Sequence, residues 1–73
     1  MEFRQLHTFI QAAQLQSFSR AAVQLGYSQS AVTVQIRMLE KELGTRLFDR
    51  MGKQVVLTPQ GQKFLMHANT ILY

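Results

Sequence analysis

The sequence predicts a mainly α-helical domain with one small β-hairpin, and three observations lead there. Apolar residues recur at three-and-four spacing in four separate stretches. Glycines and a threonine–proline pair punctuate those stretches where helices end or begin. Between the third and fourth stretches, two short β-prone runs, Leu47–Phe48 and Val55–Leu57, flank a turn-forming segment.

The first helix is expected from Glu2 to Gln14. Phe3, Leu6, Phe9, Ile10 and Ala13 mark its apolar face, with Arg4, Gln5, Thr8 and Gln11 on the other side. In "SFSRAAVQLG", Ser17 or Ser19 caps a second, short helix whose stripe is Phe18, Ala21, Ala22 and Leu25. Gly26 ends it, because glycine enters the left-handed conformation without a Cβ clash. Only Tyr27 and Ser28 intervene before the third helix. With Ser28 as cap, Tyr27 and Val32 occupy the positions of a hydrophobic staple. Val32, Ile36, Leu39 and Leu43 form the buried seam of that helix, and Gly44 stops it.

"LFDRMGKQVVLT" reads as a hairpin turning at "DRMGKQ". An isolated hairpin is unstable in water, so it must pack on the helices. Thr58 as cap and Pro59 at the first helical position then start a fourth helix. Gly61 in its first turn points to close backbone packing, since glycine there costs ~1 kcal/mol relative to alanine. Phe64, Leu65, Ala68, Ile71 and Leu72 form a stripe that runs to the last residue without a stop signal, as expected of a piece of a longer protein.

Seventy-three residues suffice for one small core but not for a core plus a deep catalytic cleft. No nucleophile–base pair, phosphate-cradling glycine loop or metal-spaced cluster is legible, so an enzyme is not expected. Without cysteine there is neither a disulfide nor a thiolate metal site, and an intracellular home is compatible with that. No apolar run approaches the roughly 20 residues that span a bilayer, and "MEFRQLHTF" lacks signal-peptide features. The net charge is +4, from eight Lys and Arg against four Asp and Glu, a balance that suits a polyanion partner without requiring one.

Two helices joined through a short glycine-containing turn are a helix-turn-helix unit, whose second helix enters the DNA major groove. Projected at 100° per residue, Ser30, Thr33, Val34, Arg37 and Lys41 cluster opposite the Val32–Ile36–Leu39 seam, with Gln29 in the first turn. Glutamine can pair bidentately with adenine, hydroxyls serve as donor or acceptor, and valine can meet a thymine methyl. Arg37 is better placed for a phosphate, and Lys53 at the hairpin tip for an adjacent groove or the backbone. Exposed amide hydrogens at the start of the second helix, or of the third beside its cap Ser28, could also hold a phosphate. Arg50 is left open between DNA and an acid within the fold such as Asp49.

"SFSRAAVQLGYSQSAVTVQIRMLEKELGTRLFDR" followed by "VVLTPQG" resembles the winged helix-turn-helix domain of LysR-type transcriptional regulators, over essentially the whole chain. The resemblance implies a bacterial regulator that binds double-stranded DNA as a homodimer at an interrupted inverted repeat. It divides the chain into a DNA-binding domain, 1–58, and the start of a linker helix, 59–73, that pairs two subunits through Phe64, Leu65, Ala68, Ile71 and Leu72. An effector-sensing domain would follow in the parent protein. No cofactor is implied for this chain, and the location implied is the cytoplasm, at the nucleoid. Carried over by position, Gln29, Ser30 and Thr33 are base readers and Lys53 is the wing contact. Many relatives have proline at the place of Ser30 and arginine at that of Val34, so a guanine preference from the latter position is in doubt.

Simpler roles compete for several residues. The apolar stripes of the first three helices are core, and Glu40, Lys41 and Glu42 read as a solvated helix end. His7 and His67 are lone surface histidines, and the methionines gap-fillers, with Met66 off its helix's stripe. The alternative function is a winged-helix protein-interaction module that never reads bases.

Overall fold

The computed structural model describes residues 1–73 as four helices and a two-stranded hairpin. The order is α1 (Phe3–Leu15), α2 (Phe18–Leu25), α3 (Gln29–Leu43), β1 (Phe48–Met51), β2 (Gln54–Leu57) and α4 (Pro59–Leu72). No helix is long and apolar enough to cross a membrane.

The caps lie where the sequence puts them. Ser17 Oγ accepts from the Arg20 amide, Ser28 Oγ from the Ala31 amide and Thr58 Oγ1 from the Gly61 amide. Gly26 and Gly44 close α2 and α3 in the left-handed conformation, each followed by an amide that reaches back to the last turn: Tyr27 to the Ala22 carbonyl and Thr45 to that of Glu40. α1 ends differently. Gln16 is left-handed at φ 53° without being glycine, and its carbonyl accepts from the Val55 amide of β2 at 3.2 Å.

A row of phenylalanines ties the elements together. Phe9 of α1 is fully buried, with ring centroids 5.2 Å from Phe64 of α4 and 5.4 Å from Phe48 of β1; Phe48 in turn lies 5.3 Å from Phe18 of α2. Such tilted and edge-on pairs add about 0.5–1.5 kcal/mol each beyond the apolar area they bury. Around them pack Leu6, Ile10, Ala21, Val32, Ile36, Leu39 and Leu47, so all four helices and the hairpin share one core.

The burial of α1 departs from its apolar stripe. Thr8 and Gln5, expected on the outer side, are buried, whereas Phe3 is 70% exposed. The cause is α3: Thr8 donates to Gln35 Oε1 at 2.6 Å, a polar tie across the α1–α3 contact. Gln5 accepts from the Glu2 amide and closes a capping box. Phe3, in the first turn, stays outside the core.

The hairpin also starts later and turns more tightly than its apolar runs indicate. Phe48 pairs with Leu57, Arg50 with Val55 and Met51 with Gln54, leaving Gly52 and Lys53 as a two-residue turn. Gly52 sits at φ 64°, the positive value that two-residue hairpin turns require of their first central residue. Leu47 lies outside the strand, where its carbonyl accepts from the Thr58 amide.

Of the expected solvated helix end, Lys41 and Glu42 are exposed, but Glu40 is not free. Glu40 Oε2 accepts from the amides of Leu47 at 2.7 Å and Phe48 at 3.3 Å, anchoring the entrance of the hairpin to α3. Glu42 pairs with the chain's amino terminus at 2.5 Å. Sequence spacing alone cannot register either contact, because each partner comes from another element.

Candidate nucleic-acid interface

α3 is gripped on one side and open on the other. Val32, Ile36 and Leu39 face the core, while Gln29, Ser30, Val34, Arg37 and Lys41 are exposed and Thr33 is half-buried. This is the division the 100° projection predicts. α2 packs behind α3, and its paired Ala21 and Ala22, both buried, let the two helices approach closely.

The hydroxyls on this surface are not equivalent. Thr33 Oγ1 donates to the Gln29 carbonyl at 3.1 Å, which commits its proton and leaves only acceptor capacity outward. Ser28 Oγ already accepts the Ala31 amide and lies 3.1 Å from Ser30 Oγ. Ser30 is the freer of the two serines. Gln29 makes no side-chain hydrogen bond in the fold and keeps its whole amide available. Val34, 53% exposed, is an apolar spot between these polar groups.

The cations form a second tier. Arg37 follows Thr33 by one turn, Arg50 projects from β1 and Lys53 occupies the hairpin tip, all exposed. The choice left open for Arg50 resolves against Asp49, which stands instead 3.4 Å from Arg46; Arg50 takes part in neither ion pair of the protein. Arg46 and Met38, the latter 55% exposed, escaped notice in the sequence. A signal for Arg46 existed in its three-residue separation from Asp49.

The five residues on the stripe of α4 separate into two groups. Ala68 is fully buried in the chain's own core and has no surface to offer a second copy. Phe64 is half-buried against Phe9. Leu65 and Leu72 are also half-buried, and Ile71 is 51% exposed. Met66, at 72%, and Tyr73, at 80%, add exposed surface outside the stripe.

Residues 3–62 match the model of the family described as bacterial regulatory helix-turn-helix protein, lysR family. Over 72 residues the chain is 49% identical to the uncharacterized HTH-type transcriptional regulator YwqM of Bacillus subtilis, covering 99% of this chain and 25% of that protein. The chain thus spans about a quarter of the length of the curated relatives it matches. Among solved structures it is similar to the CbnR DNA-binding domain in a complex with DNA, with a TM-score of 0.95 and 42% identity over 99% of this chain and 83% of that one. It is likewise similar to the BenM DNA-binding domain bound to benA site 1 DNA, with a TM-score of 0.93 and 39% identity over 99% and 84%.

Proposed function

The chain belongs to the lysR family of bacterial regulatory helix-turn-helix proteins, and from that premise we propose that it binds double-stranded DNA sequence-specifically to regulate transcription. α3 enters the major groove, with Gln29, Ser30, Thr33 and Val34 against base edges and Arg37 toward a phosphate. The amides beside Ser28 hold the phosphate at the groove's edge, and Arg50 and Lys53 of the hairpin follow the neighbouring backbone. The observation that carries this reading is the outward face of α3. Gln29, Ser30, Arg37 and Lys41 are exposed there, while the opposite face supplies the core.

The chemistry divides the labour. Phosphate contacts supply affinity that falls steeply with salt, whereas base contacts supply discrimination. The acceptor-only hydroxyl of Thr33 suits the amino group of adenine or cytosine. The exposed Val34 suits a thymine methyl.

A homodimer at an interrupted inverted repeat completes the proposal. Its contact is the exposed side of α4, through Ile71, Leu65 and Leu72, with Phe64 contributing its outer edge; Ala68 serves the subunit core instead. In the parent protein, a separate domain senses a small-molecule effector, and the regulator works at the nucleoid in the cytoplasm.

Selection of bound DNA from a random pool, repeated at two salt concentrations, tests the reading. A recurrent motif whose enrichment persists at the higher salt is the expected result. Gln29→Ala should then cost roughly 1–3 kcal/mol of discrimination at one base pair of each half-site. Binding without any preferred motif would instead assign the surface to sequence-independent or protein contacts.

A further inference from the structure

Between α3 and the hairpin lies a cleft of about 150 Å³ that brings Arg37, Arg46 and Arg50 together beside Thr33. Its three arginines suit it to a tetrahedral anion such as a phosphate. Two carboxylates also reach it, Glu40 and Asp49. Glu40 is engaged by the amides of Leu47 and Phe48. Asp49 faces Arg46 at 3.4 Å, and Arg46 also donates to the Phe48 carbonyl at 3.3 Å. Arg37 and Arg50 have no acidic partner. Three arginines therefore line the cleft, and one of them is paired with an exposed and replaceable carboxylate.

We infer that this cleft seats one phosphate of the DNA backbone, with Arg46 as a phosphate contact and Asp49 as its internal competitor. In free protein Asp49 holds Arg46 near the cleft. On binding, Arg46 turns from the carboxylate to the phosphate, which accepts two parallel N–H bonds from the planar guanidinium. The pair is exposed, so the exchange takes place in water and is reversible. The phosphate seated there lies between the base readers of α3 and Lys53 at the hairpin tip, fixing where the groove sits against Gln29. The inference rests on the DNA-binding reading above and adds to it one contact and one antagonist.

The test is a double-mutant cycle read by DNA affinity at several salt concentrations, with the selected site and an unrelated duplex. Arg46→Gln should flatten the slope of log affinity against log salt by about 0.9 per bound chain. Between about 50 and 200 mM salt, the wild-type chain should thus lose about 3.5-fold more affinity than the variant, which is a fourfold salt change raised to the power 0.9. Asp49→Asn should tighten binding to both duplexes about two- to fivefold. That gain should vanish in the Arg46→Gln background. A gain that survives there is a general charge effect and overturns the inference, as does an unchanged slope in Arg46→Gln.

Two further arms separate the sources of failure. If Gln29→Ala still degrades discrimination while both Arg46 and Asp49 variants are silent, DNA reading stands and the clamp falls. If the wild-type chain selects no site, the functional reading fails first. A third arm adds inorganic phosphate without DNA at constant ionic strength. Perturbation of the Arg46 side-chain resonances there, combined with an unchanged salt slope, assigns the cleft to a free anion and overturns the backbone contact.

Discussion

α3 and α4 begin alike and end up in opposite situations. Each starts with a hydroxyl residue in extended backbone conformation, accepting an amide three residues on: Ser28 from Ala31 at 3.2 Å, Thr58 from Gly61 at 2.9 Å. Thr58 is buried and also donates to the Arg46 carbonyl at 2.6 Å, so its cap is a junction between helix and hairpin. Ser28 is exposed, and the only other hydrogen-bond partner of its hydroxyl is that of Ser30. The same local chemistry closes the fold at one helix start and leaves a surface at the other. A cap says that a helix begins. Whether that beginning is structural or functional depends on what else approaches.

The contrast can be broken most strongly at Gly61. A Cβ built there collides with the Leu47 carbonyl oxygen, a backbone atom already held by the Thr58 amide. Gly61→Ala gains ~1 kcal/mol of helix propensity, yet overpacking against fixed backbone should outweigh it. A net loss of about 2–3 kcal/mol is expected in urea unfolding. Retained stability would mean that the start of α4 is looser than the contact implies.

Thr58→Ala comes next. It removes the cap and strands a buried amide and a carbonyl, for an expected loss of about 2 kcal/mol. Ser28→Ala removes a cap of the same type in water, so thermal unfolding should report only about 1 kcal/mol. Equal losses at the two sites would erase the distinction drawn between them.

The smallest stability effect should come from Val34→Arg, within about 0.5 kcal/mol because the side chain is 53% exposed. Its consequence should fall on recognition instead, shifting base preference from thymine toward guanine at one position of each half-site. An unchanged selected motif would remove Val34 from the set of base readers.

Most of the fold was legible because helix periodicity and caps are local. Ser28, Gly26, Gly44, Thr58 and Pro59 mark helix ends through interactions that span only a few residues. The outward set on α3 was legible for the same reason: once Val32, Ile36 and Leu39 face inward, the opposite side follows from 100° per residue. The errors share a different cause. Thr8 looked like surface until α3 placed Gln35 against it, and Glu40 looked solvated until the hairpin brought two amides to its carboxylate. Ala68 sits on the stripe expected to meet another subunit, yet the subunit's own core takes it.

By itself the chain's order of residues determined the helices, their ends and the face that α3 shows to the outside. Those features arise from backbone sterics and from contacts three or four residues apart. Only the tertiary structure decided which polar groups are spoken for, which apolar residues of α4 stay exposed, and that three arginines from α3, the segment before β1 and β1 itself share one cleft. Those outcomes depend on pairings between distant segments, and periodicity within one helix carries no information about what a second element brings to meet it.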